Sequence, residues 1–233
     1  MNVPGSIKKL YRVIFKQDLY ISHHLAKTAG LTFLKVLKCL FNDKLLLDYF
    51  GQSSKPIDAR KIPLRTKCIH GHFNQPKYMN YLPEAKWITW LRDPIERAIS
   101  NYYHMFRHPE PGDSFCMKVV NRNMALEDFL KLEESYRYYS RYNNKKSFIS
   151  YDFVGITEEF EKGLKLFFKL FNFPEDKNIQ VTSVNTNPQK ESNKYPLEES
   201  LREELVDLYD DELKLYNSMK EQFYSQCNKY EIS

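Results

Sequence analysis

No stretch of the 233 residues approaches the roughly eighteen continuous apolar residues that a membrane span needs. The segment Met1 to Lys16 is positively charged but has no apolar run of signal-peptide length, so a soluble, cytoplasmic chain is expected. Cys39, Cys68, Cys116 and Cys227 are widely scattered. No C-x-x-C pair and no zinc-ligand spacing links them, so they read as reduced thiols, mostly packing residues. No repeat or low-complexity segment appears, and the basic residues are not gathered into a run of the kind that grips nucleic acid. A Walker A loop, G-x-x-x-x-G-K-[ST], is missing as well, and no acid presents itself for the Walker B role.

The chain is aromatic and mildly basic. Seventeen Tyr and sixteen Phe argue against disorder, and a net charge of +5 suits an anionic cofactor or substrate. The length fits one domain, residues 1–233, with room for a sizeable core.

The stretch Tyr20 to Leu34 organises the rest. Tyr20, Ile21 and Leu25 read as a buried strand. Lys27-Thr28-Ala29-Gly30 reads as a tight turn, and Leu31, Leu34, Leu37 and Phe41 recur at helical spacing. A strand feeding a helix through such a turn leaves backbone N–H groups free where the macrodipole favours an anion. Lys27 adds a full positive charge, and Thr28 and Thr32 add hydroxyls. The physical reading is a turn that binds phosphate or sulfate, the alternative being an ordinary strand–helix connection.

Downstream, Leu45–Tyr49 is a short apolar patch. Cys68-Ile69 ends a strand, with His70-Gly71-His72 just beyond it, where open α/β sheets collect their ligands. Histidine is the commonest catalytic base, so the pair marks a site; as a metal fragment it lacks a convincingly spaced third ligand. Trp87–Leu91 is a further strand. Asp93, Pro94 and Glu96 form a helix-start signal close to a capping box, with an apolar stripe of Ile95, Ile99, Tyr102, Tyr103 and Phe106 behind it. Arg92 is thereby held at a strand end and Ser100 about two turns into the helix, a guanidinium and a hydroxyl suited to clamping a phosphate monoester.

Three motifs in order, H-L-A-K-T-A-G-L-T-F from His24, C-I-H-G-H-F from Cys68 and W-L-R-D-P-I-E-R-A-I-S-N-Y-Y from Trp90, resemble carbohydrate sulfotransferases. The similarity is to their uronosyl 2-O-sulfotransferase branch. The stretch Val154-Gly155-Ile156-Thr157-Glu158 resembles that family's V-G-x-T-E segment, so the likeness spans about residues 20–172. The resemblance implies a P-loop-like three-layer α/β/α fold with a central, mostly parallel sheet, an insertion at 107–150, and C-terminal helices at 197–225. It implies 3′-phosphoadenosine 5′-phosphosulfate (PAPS) as co-substrate, 3′,5′-ADP as product, and no metal. Lys27, Thr28, Ala29, Gly30, Leu31, Thr32 and Phe33 would form the 5′-phosphosulfate loop. Arg92 and Ser100 would hold the 3′-phosphate. His72 would be the catalytic base, His70 its support, and Lys27 would also serve catalysis. A loop before the C-terminal helices would fold over the cofactor, offering Lys190 or Lys194. His23 and His24 read as packing or supporting residues.

Between these motifs, a helix is expected at Leu126–Glu134. It is followed by a Tyr/Arg-rich run, Tyr136 to Tyr142, that either lines an acceptor site or is a solvated helix face. The helix from Glu158 to Phe173 carries a core aromatic stripe. Leu197–Phe223 is an amphipathic tail with Leu201, Leu205, Leu208, Leu213 and Tyr216 turned inward. The expected partner is a hydroxyl-bearing acceptor, a glycan or small metabolite in a bacterial-type setting, with no nucleic acid and no membrane span. The competing readings are a P-loop kinase with a degenerate loop, dependent on ATP and magnesium, and a non-catalytic nucleotide- or glycan-binding protein on the same fold.

Overall fold

Five strands carry the molecule: β1 (Tyr20–His23), β2 (Leu45–Tyr49), β3 (Cys68–His72), β4 (Lys86–Leu91) and β5 (Phe153–Ile156). They form one sheet in the order β2-β3-β1-β4-β5, and every pairing is parallel. The computed structural model describes residues 18–49, 58, 62–79, 81–82, 84–143, 147–174 and 195–233. The last strand that the sequence suggests at Val181–Val184, and the expectations for Lys190 and Lys194, fall outside those residues.

The helices described are α1 (Gly30–Phe41), α2 (Pro76–Met79), α3 (Pro94–Arg107), α4 (Ser114–Asn121), α5 (Leu126–Leu130), α6 (Glu133–Tyr136), α7 (Tyr138–Tyr142), α8 (Phe160–Phe171), α9 (Glu199–Leu208) and α10 (Asp210–Lys229). This is the expected α/β architecture with helical C-terminal elements. The apolar patch at Leu45–Tyr49 is the edge strand of the sheet. The expected helix at Leu126–Glu134 is two short ones, and the C-terminal tail is also two, parted at Tyr209.

Both sheet faces are covered, as a parallel sheet requires. On one face Phe33 of α1 meets Phe167 of α8 edge-on at 5.1 Å, and Tyr20 packs on Phe41 and Phe171. Trp90 fills the centre of that face, stacked on Phe160 at 4.4 Å. A Cβ at Gly155 or Gly163 would come within 2.4 or 2.8 Å of the Trp90 ring, which is why glycine stands at both positions. On the other face Trp87, Phe73, Tyr151 and Tyr142 gather around His23. A second core, away from the sheet, joins α3 to α4, α5 and α9 through Ile95, Ile99, Val119, Phe129 and Leu205. Among the described residues no helix is long and apolar enough to cross a membrane.

The crossover from β1 runs to the β2 edge and the crossover from β4 runs to the β5 edge. The chain therefore diverges at the carboxyl ends of the adjacent strands β1 and β4. This is the switch point of an open α/β sheet, where ligands bind.

Candidate active site

Residues 24–29 leave β1 and turn into α1. Lys27 has φ 69° and Ala29 φ 61°, both left-handed and neither a glycine. Each such residue costs on the order of 1–2 kcal/mol, and strain of this kind persists only where neighbours hold it. The holds are visible. Thr28 Oγ1 donates to the Leu25 carbonyl at 2.8 Å, and the Ala26 N–H donates to the Tyr138 hydroxyl at 2.8 Å. Arg92 reaches the Lys27 carbonyl at 3.5 Å. The cap residue of α1 is Ala29, whose side chain makes no cap hydrogen bond to the first turn, as the anion-site argument anticipates.

Cations converge on this turn. Burial, with Arg107 and Arg92 nearby, lowers the Lys27 pKa to about 8. Burial and the charges of Lys27, His108 and Arg107 push His104 down to about 4. Ser100, His104 and Arg107 recur at helical spacing along one side of α3. Tyr195 runs along that side: its N–H donates to Glu96 at 2.8 Å, its ring lies 5.7 Å from Tyr103, and the Arg92 guanidinium is 5.8 Å from its centre. Among the described residues no carboxylate forms an ion pair with Lys27, Arg92 or Arg107. A set of mutually repelling cations at a helix start fits a multiply charged anion.

The histidines lie beside it. Period-2 alternation puts His24, His70 and His72 on one sheet face and His23 on the other. The His24 ring stacks on His72 at 4.2 Å and on His70 at 5.1 Å. His24 also fills the space above Gly30, where a Cβ would sit 1.8 Å from its Nε2. His72 Nδ1 lies 2.6 Å from the His24 carbonyl. A carbonyl only accepts, so Nδ1 carries the proton and Nε2 keeps its lone pair. Burial lowers the His72 pKa, opposed by that hydrogen bond, and keeps the ring neutral near pH 7. His70 is buried, with Nδ1 on Ser22 Oγ at 2.8 Å, and belongs to the stack that positions His24. Among the described residues no group of His, Cys, Asp or Glu is arranged to hold a metal.

The sequence-derived site residues are not all equivalent. Lys27, Ala29 and Gly30 form the turn and Arg92 flanks it. The Thr28 hydroxyl proton is committed to Leu25, so that residue offers its backbone amide instead. Leu31 projects its side chain outward and offers only backbone to the site. Phe33 departs from its expected place in the loop. Its N–H already bonds the Ala29 carbonyl, and its ring is fully buried between Trp90 and Phe167. Thr32 and Ser100 are buried on their helices.

Sequence reading missed His104 and Arg107, although their spacing from Ser100 is a helical signal. It also missed how the aromatic run 136–142 is used. Tyr138 supports the turn. The Tyr139 hydroxyl accepts from the Arg92 N–H at 2.9 Å and donates to the Arg92 carbonyl at 2.7 Å. Glu158 ties this together differently, accepting from the Asp93 N–H at 3.0 Å and from the Tyr216 hydroxyl at 3.0 Å.

A model of the sulfotransferase family matches residues 13–218, most of the chain. The chain belongs to the sulfotransferase family. No curated protein matches it significantly. Among solved structures, mouse sulfotransferase SULT7A1, complexed with PAP, is 13% identical over 95% of each chain with a TM-score of 0.50. A sulfotransferase from Alicyclobacillus acidocaldarius is 14% identical, covering 89% of this chain and 96% of its own, with a TM-score of 0.48. At such identities the likeness is one of fold.

Proposed function

We propose that this protein transfers a sulfuryl group from PAPS to a hydroxyl of a carbohydrate or glycan-containing acceptor, with 3′,5′-ADP as product. One observation carries the reading: a cation cluster at a helix start whose cap residue, Ala29, makes no side-chain cap bond stands beside a neutral histidine whose Nδ1–H is fixed and whose Nε2 keeps its lone pair. Family membership supplies the reaction class. The neighbouring mouse enzyme, complexed with PAP, supports the nucleotide.

When bound, PAPS supplies the sulfuryl group, its bridging S–O bond breaking as the acceptor oxygen bonds to sulfur. His72 Nε2 takes the proton of the acceptor hydroxyl. Lys27 and the amides of residues 28–32 hold the charge that collects on the departing 5′-phosphate. Arg92 and Ser100 hold the 3′-phosphate, with Arg107 adding positive potential along the same side of α3. His24 orients the base through its carbonyl, and His70 keeps the His24 ring in place. The motif resemblance to the uronosyl 2-O branch supports a carbohydrate acceptor and a single catalytic domain. The four unpaired cysteines fit a reducing, cytoplasmic setting.

Calorimetric titration with 3′,5′-ADP, against ADP and against ATP with magnesium, tests the reading. Preference for 3′,5′-ADP is expected; preference for ATP with magnesium would overturn it.

A further inference from the structure

The aromatic run 138–142 makes contacts that neither an acceptor-lining surface nor a solvated helix face requires. Tyr138 and Tyr139 are adjacent in sequence. The first bonds the turn after β1, through the Ala26 N–H, and the second bonds both backbone groups of Arg92 after β4. The pair is itself anchored. Buried Glu212 of α10 accepts from the Tyr139 N–H at 2.7 Å, the Ser140 N–H at 2.8 Å and the Ser140 hydroxyl at 2.6 Å. Arg97 stacks its guanidinium 3.7 Å from the centre of the Tyr138 ring and donates to the Ser135 carbonyl at 3.2 Å. Arg97 is fully buried, and its Nε and one terminal nitrogen make no hydrogen bond. Burying a cation so incompletely satisfied is costly, and stacking on an aromatic face is the compensation on view.

The turn that this arrangement contacts carries the two left-handed residues Lys27 and Ala29. Strained backbone at a ligand clamp needs neighbours that over-determine it. We infer that Tyr138, braced by Arg97, is a positioning residue for the co-substrate: its hydroxyl holds the strained anion-binding turn in the conformation that presents Lys27. Tyr139 and Glu212 set the distance of that turn from Arg92. The inference rests on the reading of residues 27–32 as the PAPS loop.

The test is a four-protein cycle: wild type, Tyr138→Phe, Ala29→Gly, and the double variant, each titrated with 3′,5′-ADP by calorimetry and melted thermally. Tyr138→Phe keeps the ring, and hence the Arg97 stack, and removes only the hydroxyl. It is expected to weaken 3′,5′-ADP binding by about tenfold, from the cost of a released left-handed residue. Glycine adopts positive φ without penalty, so in the Ala29→Gly background only Lys27 keeps its strain and the same hydroxyl should matter less, by about threefold. Similar melting of wild type and Tyr138→Phe shows that the loss is local. Unchanged affinity in Tyr138→Phe overturns the proposal, and so does an equal loss in both backgrounds, which would mean that strain is not what the hydroxyl holds. Wild type that fails to bind 3′,5′-ADP brings down the loop assignment itself, and this inference with it.

Discussion

Acidification should destabilise this protein well before its carboxylates titrate, because histidines are buried neutral in its core. Burial, with a smaller contribution from His72, lowers the pKa of both His23 and His70 to about 3. In the unfolded chain each titrates near its ordinary value of about 6.5. A histidine whose folded pKa is depressed contributes its full stability above the unfolded value and loses it as pH falls toward the folded one. At pH 5 the unfolded chain has bound protons at both positions and the folded chain has not. The penalty is roughly 2 kcal/mol for each residue, or roughly 4 kcal/mol together. That is a large part of the roughly 5–15 kcal/mol available to a folded domain. Glu96 opposes the trend, since burial raises its pKa and favours the folded state in acid. The assay is urea unfolding at pH 7.5 and pH 5.0, followed by the fluorescence of the buried Trp87 and Trp90. With a slope of about 2–3 kcal/mol/M, the midpoint should fall by about 1–2 M. His24, His72 and His104 are depressed in the same direction and add to the fall, so in His23→Phe, which removes one of these groups, the fall in stability should be smaller by roughly 2 kcal/mol but not abolished. A midpoint that does not move between these pH values, or an identical fall in the variant, would show that the histidines are not buried as neutral groups.

Three further outcomes follow from the site. Affinity for 3′,5′-ADP should fall about tenfold between pH 7 and pH 9 as Lys27, with its pKa near 8, gives up its proton. Lys27→Arg should flatten that profile, and calorimetry showing the same slope in both proteins would remove Lys27 from the anion site. His72→Ala should lower kcat by about 10²–10⁴ while leaving 3′,5′-ADP affinity within about threefold, so a parallel loss of binding in titrations would end its assignment as base. Gly30→Ala would drive a methyl to 1.8 Å from His24 Nε2, on a ring already stacked against His70 and His72. Such overpacking costs about 1–3 kcal/mol or more, so thermal melting should drop by at least about 3 °C, and an unchanged melt would mean that the ring is free to move.

What the sequence determined by itself was local. The turn after β1 and the cap at Asp93 are read from neighbouring residues, because periodicity, capping and turn chemistry act over a few positions; β3, by contrast, runs on through His72, where the sequence placed His70, Gly71 and His72 beyond the strand's end. The order of motifs also carried the family and the parallel α/β architecture. Tertiary structure decided the rest. Only strand register shows that His24, not His23, shares a face with His70 and His72, and that its carbonyl fixes the base. Only folding brings the Tyr138–Tyr139 pair under two loops more than forty residues away in sequence, and Glu212 under that pair. Only the path of α3 turns His104 and Arg107 toward Lys27. Those contacts depend on distances across the sheet and between helices, which no local pattern encodes. They decide which of the sequence's many aromatic and basic residues build the site and which only cover it.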